Sequence, residues 1–540
     1  MESVSVERLD HLGVVASVIK DLGIIQMLDA RLHVHEQEEI TTGEAVARMI
    51  LKGLGFSNRP LSLTPQFFAN TPLDLLFHPG VKAEMFNRFK LGRSLDEVYT
   101  YSCDLLFSEV AMAVCAQEGI DQRFNHLDTT SFSLTGDYVS DSDEHAIAIT
   151  HGYSKDHRPD LKQAVLELMV SQDGGIPLLS KSWDGNASDS TIFQERAGAL
   201  LKTFQRSPSP RYLVADCKLY DKENAEHLQS LPFITRIPHT LKVVSLVIAQ
   251  ALALDTWHAI DAQTRYQGLE LCHYGMAQRW LVVFSQAAAW RAEAAVSRAQ
   301  RHEYDAIQKQ LFHLQAQRFT SQDAASEALA KLGKKWRYHH CDSYAFTAHK
   351  RYSTQGRPTP KTPLKAIEWQ IDAQVQPDAG RIHHAKQLGA CYVIGSNIPC
   401  EQLSDVEVIA GYKAQAQAEG GFRFLKDPLF FVSSLFVKKP SRIQGLLMVM
   451  TLALLVYSVA QRRLRQELAR QNATLPNQIH QPTSRPTLRW LFQMLEGIHR
   501  VRVTICDQVH TFIEGLNEVR IKILRLFGEK VCQMYHIASG

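Results

Sequence analysis

FNHLD, from Phe124 to Asp128, and YLVAD, from Tyr212 to Asp216, are the stretches on which the fold turns. Each is a short strand-favouring run that closes on an aspartate. Phe124, Leu127, Tyr212, Leu213 and Val214 can bury in a sheet while each acid emerges at its edge. A third acid, Glu419, stands in a helix-favouring stretch, GYKAQAQAEGGFRFLKDP, from Gly411 to Pro428. Tyr412 lies seven residues before it, Gln415 four before it and Lys426 seven after it. On one continuous helix these offsets set all four near one face. Converging carboxylates bind hard cations such as Mg²⁺, and a metal pair about 3.5–4 Å apart serves phosphoryl transfer. The hydroxyl, amide and ammonium around Glu419 suit a phosphate.

Working outward, FNHLDTTSFSLTGD, HAIAITHGYS and QAVLELMVSQDGGIPLLSKSW read as strands, with Gly174–Gly175 marking a hairpin. SDSTIFQERAGALLKTF starts on Ser188 and Asp189 as caps and continues as a helix; FITRIP from Phe233 is another strand. The order is three strands, helix, strand, helix, strand. Residues 1–120 read as helical, with Leu12, Val15, Ile19, Leu22 and Ile25 at helical spacing. Thr41 with Glu44 and Ser94 with Glu97 form capping boxes, and Gly119 closes the last helix. Lys82, Arg88, Lys90 and Arg93 gather there as a DNA-contacting face or a solvated helix surface.

Glu419 follows Asp216 by 203 positions, more than a compact core needs, so an inserted domain is expected. RWLVVFSQ from Arg279 and ACYVIGSN from Ala390 read as core strands flanking it. The division is 121–285 for the first part of the core, 286–388 for a mainly helical insertion, and 389–470 for the second part. Residues 471–540 read as a linker and helical tail. Within the insertion, Lys334, Lys335, Trp336 and Arg337 could grip a backbone and stack on a base. His339, His340 and Cys341 lack the second ligand pair of a zinc site.

The chain has 540 residues, 45% hydrophobic and 21% charged, the balance of a globular protein of several domains. A net charge of +3 leaves any DNA affinity to local patches. Nine scattered cysteines without a CxxC pair point to reduced thiols in a cytoplasmic protein. The start, MESVSVERLDHLG, does not read as a signal peptide. The apolar run Gly445–Ala460 falls short of a spanning helix and reads as a core helix, so no membrane partner is expected. No GxxxxGK[ST] occurs, and ATP use is not indicated.

The spacing Tyr412, Glu419, Lys426 resembles the Tyr-Arg-Glu-Lys signature of one branch of bacterial insertion-sequence transposases of the DDE type. Gln415 stands where that branch usually has arginine. HLDTTSF from His126, HGYSKDHRPDLKQ from His151, WDGNASD from Trp183 and GFRFLKDPLFF from Gly421 resemble one subgroup of it. The resemblance runs from LDHLGVVASVIKDLGI to about Arg465, and departs again after Asp216, where relatives often have small residues in place of Cys217 and Lys218. It implies an α/β fold: a ribonuclease H-like core, a mixed sheet flanked by helices, interrupted by the insertion and preceded by a helical domain that binds transposon ends.

By the same resemblance Asp128, Asp216 and Glu419 are the catalytic metal ligands for Mg²⁺, with Mn²⁺ able to substitute. Tyr412, Gln415, Arg423, Lys426, Lys155 and Arg158 would contact DNA. The implied partners are double-stranded DNA, as terminal inverted repeats and as target, and a second protomer on that DNA. The implied reaction is cleavage at the element's ends and joining of the 3′-hydroxyl to target DNA. The alternative is a transposase-derived DNA-binding protein without turnover, which Gln415 favours because it lacks the charge and fork of arginine. On charge alone, Lys155 and Arg158 could instead pair with Asp156 and Asp160.

Overall fold

The computed structural model describes residues 3–33, 38–57, 59–136, 138, 145–207, 209–254, 256–353, 357–427, 430, 437–506 and 508–538. The last residue of FNHLDTTSFSLTGD, Asp137, and Pro428, Leu429 and Phe431 of GFRFLKDPLFF lie outside the described residues. The chain is mixed α/β and divides into two compact units, Met1–Thr235 with Ala410–Gly540, and Arg236–Ile409.

In the first unit the amphipathic segments Leu12–Asp21, Thr42–Leu54, Arg88–Tyr101 and Cys103–Glu118 are helices. Thr41 and Glu44 form a reciprocal cap: the Thr41 hydroxyl accepts the Glu44 N–H at 3.0 Å and the Glu44 carboxylate accepts the Thr41 N–H at 2.9 Å. Gly119 ends the Cys103–Glu118 helix at φ 58°. Ser94 caps nothing; it is buried inside Arg88–Tyr101, whose cap is Asn87. Lys90 leaves the expected basic face, since it is buried and paired with Glu38 at 2.7 Å. Lys82, Arg88 and Arg93 remain exposed.

The N-terminal section also contains a strand. SVSVER, apolar at every second position, forms β1 (Ser3–Arg8), which pairs antiparallel with His499–Ile505, itself paired with Gln508–Glu514. The C-terminal stretch read as a helical tail therefore carries a hairpin. Within the expected linker, Leu475–Pro476 and Pro482–Thr483 pair as well.

The sheet of this unit follows the predicted strands: β2 (Phe124–Leu134), β3 (Lys162–Ser171), β4 (Pro177–Trp183), β5 (Tyr212–Ala215) and β6 (Phe233–Arg236), in the order β4-β3-β2-β5-β6. β2, β3 and β4 are antiparallel, while β5 and β6 join β2 in parallel. HAIAITHGYS is not a strand; only Thr150 bridges, to Gln163. Helices flank the sheet on both faces. Leu166, Leu168 and Val170 belong to a core shared with Pro440–Arg470, whereas Val165, one residue out of phase, packs with Ile192 of the Asp189–Gln205 helix.

Pro440–Arg470 is long and apolar enough to cross a membrane by composition, but 94% of its most apolar window is buried in this core. Beneath it Lys52 is buried, its Nζ donating to the Pro60 carbonyl at 2.6 Å. Burial lowers its pKa from 10.5 to about 7, with the Arg59 charge adding to the effect. The cost of burying the ammonium is thus fully present below pH 7 and is relieved as pH rises toward 10.5, where the unfolded lysine also loses its proton. Lys52→Met should therefore raise the melting temperature relative to wild type most near pH 6.5, with the gain shrinking by pH 10. Melts of both proteins at the two pH values check this; a constant difference would refute it.

The second unit contains β7 (His258–Asp261), β8 (Thr264–His273), β9 (Met276–Ser285), β10 (His339–Tyr352), β11 (Leu364–Pro377) and β12 (Cys391–Ser396). β12, β9, β8 and β7 pair in that order, all antiparallel. Residues 286–388 hold the helices Gln286–Gln315 and Gln322–Gly333 and most of Ala379–Ala390, together with the long β10–β11 hairpin, which composition did not suggest. Trp336 cannot stack on a base: it is 5% exposed, in a cluster with Ile307, Leu311, Leu314, Leu329 and Ile371. Lys334, Lys335 and Arg337 around it are exposed.

Candidate active site

Asp128 is the fifth of eleven residues in β2 and does not end its strand. The β-favouring TTSFSL that follows continues the ladder against β3. Asp216 does end β5: its carboxylate turns back to accept the Lys218 N–H at 3.0 Å and caps a short 3-10 turn. The parallel register runs from Phe124↔Tyr212 to Leu127↔Ala215. Carried one residue further, it sets Asp128 beside Asp216, about 4.8 Å away across the strands and on the same face.

Both aspartates are half-buried. Burial pushes the Asp128 carboxyl up to about 6; Lys155 and the Thr129 N–H oppose this, while the charges of Asp216 and Asp189 add to it. Asp216 is raised too, first by burial, against the Lys218 N–H and the Lys218 charge. Two neighbouring acids are thus both held toward their neutral forms, chiefly by burial.

Two lysines and a third aspartate surround the pair. Lys155 Nζ donates to the Thr129 carbonyl at 2.6 Å and hydroxyl at 2.7 Å, and lies 3.4 Å from Asp189. Asp189, the first residue of its helix, also accepts from the Thr129 hydroxyl and from Lys218. Burial would raise the Asp189 carboxyl, but the hydrogen bonds from Lys218 and Thr129 and the Lys155 charge hold it below the usual carboxylate range. Asp189 and Lys218 were missed in these roles from sequence. The signal for the first was present, as the last residue of WDGNASD.

The motif glycines serve the same corner. A Cβ on Gly152 would lie 2.1 Å from the Gly185 carbonyl oxygen, and one on Gly185 would lie 2.1 Å from that of Gln163. Gln163 Nε2 donates to the Gly185 carbonyl at 2.6 Å and to that of Tyr153 at 3.2 Å. HGYSKDHRPDLKQ and WDGNASD thus lie against one another with bare backbone between them, which fixes the segment that delivers Lys155.

Glu419 lies exposed on the helix Ala416–Leu425. A Cβ on Gly421 would contact Leu168, the cross-strand partner of Asp128, and Lys426 Nζ stands 5.8 Å from the Phe132 ring, four residues along β2. Directly opposed residues and residues two or four apart share a strand face, so this helix covers the face that carries Asp128. The three acids are not gathered: among the described residues, no three His, Cys, Asp or Glu side chains stand together as a metal site would require.

The helix read as continuous from Tyr412 to Lys426 is broken. Asp405–Lys413 stops, the chain turns at Ala414–Gln415, and a second helix begins at Ala416. Tyr412 is half-buried near the end of the first, and its carbonyl accepts the Gln415 N–H at 3.0 Å. Gln415 is 9% exposed and stands at the N-cap of the second helix, so its amide is not presented for a phosphate. Lys426 pairs with Asp156 at 2.7 Å, and Arg158 holds Asp160 through two bonds of 2.8 and 2.7 Å. Arg423 is exposed.

Comparison with known families matches residues 4–112 to a domain of unknown function, DUF4277. No curated protein matches the chain. Among solved structures, the cryo-EM structure of the piggyBac transposase synaptic complex with hairpin DNA aligns with 50% of this chain at 9% identity and a TM-score of 0.25. The chain spans 61% of the length of that protein, and the likeness is too distant to bear on function.

Proposed function

We propose that the chain is a DNA transposase of the DDE type with a ribonuclease H-like core, which cleaves DNA at the ends of its element and joins them to target DNA. The observation that carries the reading is the register of β2 and β5, which sets Asp128 beside Asp216 under a helix bearing Glu419. The sheet order, three antiparallel strands followed by two parallel ones, supports the core. So does the match of the N-terminal section to DUF4277, a family found in transposases.

The two aspartates fit a hard divalent cation by donor type and by their place side by side where β5 ends. Asp128 and Asp216 would hold Mg²⁺, which would supply activation of the attacking oxygen and stabilisation of the leaving one; the family resemblance makes Glu419, not gathered with them in this structure, the third ligand. Lys155 and Lys218, held through Asp189, keep positive charge beside the aspartates and face a phosphate when DNA enters. Lys426 and Arg158 exchange Asp156 and Asp160 for phosphates on binding.

Purified protein incubated with the element's terminal inverted repeats and Mg²⁺ should nick them at the ends, and EDTA should stop it. A second reading is favoured by buried Gln415 and by the ungathered acids: a transposase-derived DNA-binding protein without turnover. Specific binding with no nicking in Mg²⁺ or Mn²⁺ would decide for it.

A further inference from the structure

We infer that the outer half of the β10–β11 hairpin is an arm that lays cationic side chains against the phosphates of duplex DNA. The chain as a whole is nearly balanced, with 59 Lys and Arg against 56 Asp and Glu. From Ser343 to Ile367, however, it carries Lys350, Arg351, Arg357, Lys361 and Lys365 and no acid at all. All five are exposed. Arg351 has Glu368 at 2.8 Å, the first acid beyond the segment; Lys350, Arg357, Lys361 and Lys365 form no ion pair among the described residues.

The fold anchors the base of the ribbon that carries Lys350, Arg351 and Lys365 and, in the connection beyond it, Arg357 and Lys361. The inner half of the hairpin is anchored: Ile371 and Ala373 of β11 are buried with Leu311, Leu314 and Trp336, and Phe346 of β10 packs on them. Beyond Phe346 the strands stay in register to Arg351↔Ala366, and after a one-residue irregularity they pair once more at Tyr352↔Leu364. That is about 20 Å of ribbon at strand rise, and its residues are exposed or half-buried, none of them buried. A two-stranded ribbon is narrow enough to enter the major groove, about 12 Å wide. Exposed cations with no acid to neutralise them match a backbone of regularly spaced negative charge.

Duplex DNA as the partner rests on the proposed function, but the arm is tested by binding, without catalysis. The full chain carrying Lys350→Ala, Arg357→Ala, Lys361→Ala and Lys365→Ala is titrated with a labelled random-sequence duplex at 50 and 200 mM salt, without metal. Four phosphate contacts at about 0.9 units of salt slope each predict that wild-type affinity falls about 100-fold more steeply across that range than the variant's. Lys350→Arg, Lys361→Arg and Lys365→Arg together should keep the wild-type slope. Equal slopes for wild type and the alanine variant would overturn the arm, as would displacement of the duplex by polyglutamate at equal charge. If the arm variant loses affinity and wild type never nicks DNA, the arm stands and the transposase reading falls. If wild type nicks and the slopes are equal, the arm alone falls.

Discussion

Asp216→Asn lowers metal-dependent cleavage of the terminal repeats by about 10⁴-fold or more, the scale on which removing an essential member of a catalytic set registers, and leaves duplex affinity close to wild type. Asp216 closes β5 where the strand stops at Ala215, and no other acid in the sheet register stands beside Asp128. Asparagine keeps the side-chain oxygen that accepts the Lys218 N–H, so the turn survives. Alanine would add the loss of a cap, about 1 kcal/mol, and blur the result. Gel assays of nicking, with anisotropy for binding, separate the two effects. Persistent nicking by the asparagine variant would remove Asp216 from the proposed metal set, and lost binding would make its role structural.

Gly185→Ala destabilises the protein by about 3 kcal/mol, the upper range for forcing a methyl into a packed site. Its Cβ would stand 2.1 Å from the Gln163 carbonyl oxygen and 2.5 Å from that of Thr150, both backbone atoms that cannot turn aside. The loops must separate, and Gln163 loses its short bond to the Gly185 carbonyl. Lys155, which hangs from the same segment, would lose its seat on Thr129, so cleavage should fall along with stability. Gly198→Ala is the control: it is exposed on the Asp189–Gln205 helix with nothing within 4 Å of the added carbon. There alanine should be neutral or stabilising by up to about 1 kcal/mol. Urea melts giving the same midpoint shift for both variants would sink the close-approach argument.

Much of this was legible in the chain because it is written locally. Alternating apolar runs gave β2 to β6, and caps at Thr41, Ser188 and Gly119 gave helix ends, since each depends on neighbours within a few residues. What escaped depends on distant partners. Asp128 was read as a strand end, yet β3 offers a pairing edge that carries β2 on to Leu134. KAQAQAE, from Lys413 to Glu419, favours helix throughout, so nothing in it announces the turn at Ala414–Gln415. The β10–β11 hairpin is half legible: Ile367, Trp369, Ile371, Ala373 and Val375 alternate with polar residues along β11, while β10 is polar over much of its length and takes its form from that partner. The contact between Gly152 and Gly185 shows in sequence only as two glycines in separate motifs.

The pairing of Ser3–Arg8 with His499–Ile505 has a consequence for how the protein is made. The first unit is assembled from Met1–Thr235 and Ala410–Gly540, and its central helix, Pro440–Arg470, arrives only with the second piece. Until the ribosome has delivered that helix and the strand after it, the helices and sheet synthesised first pack on one another but lack the helix that completes their core. The Arg236–Ile409 stretch is by then outside the exit tunnel and free to fold by itself. Maturation is therefore late and all at once, and a chain whose synthesis stops before His499 leaves β1 without its edge.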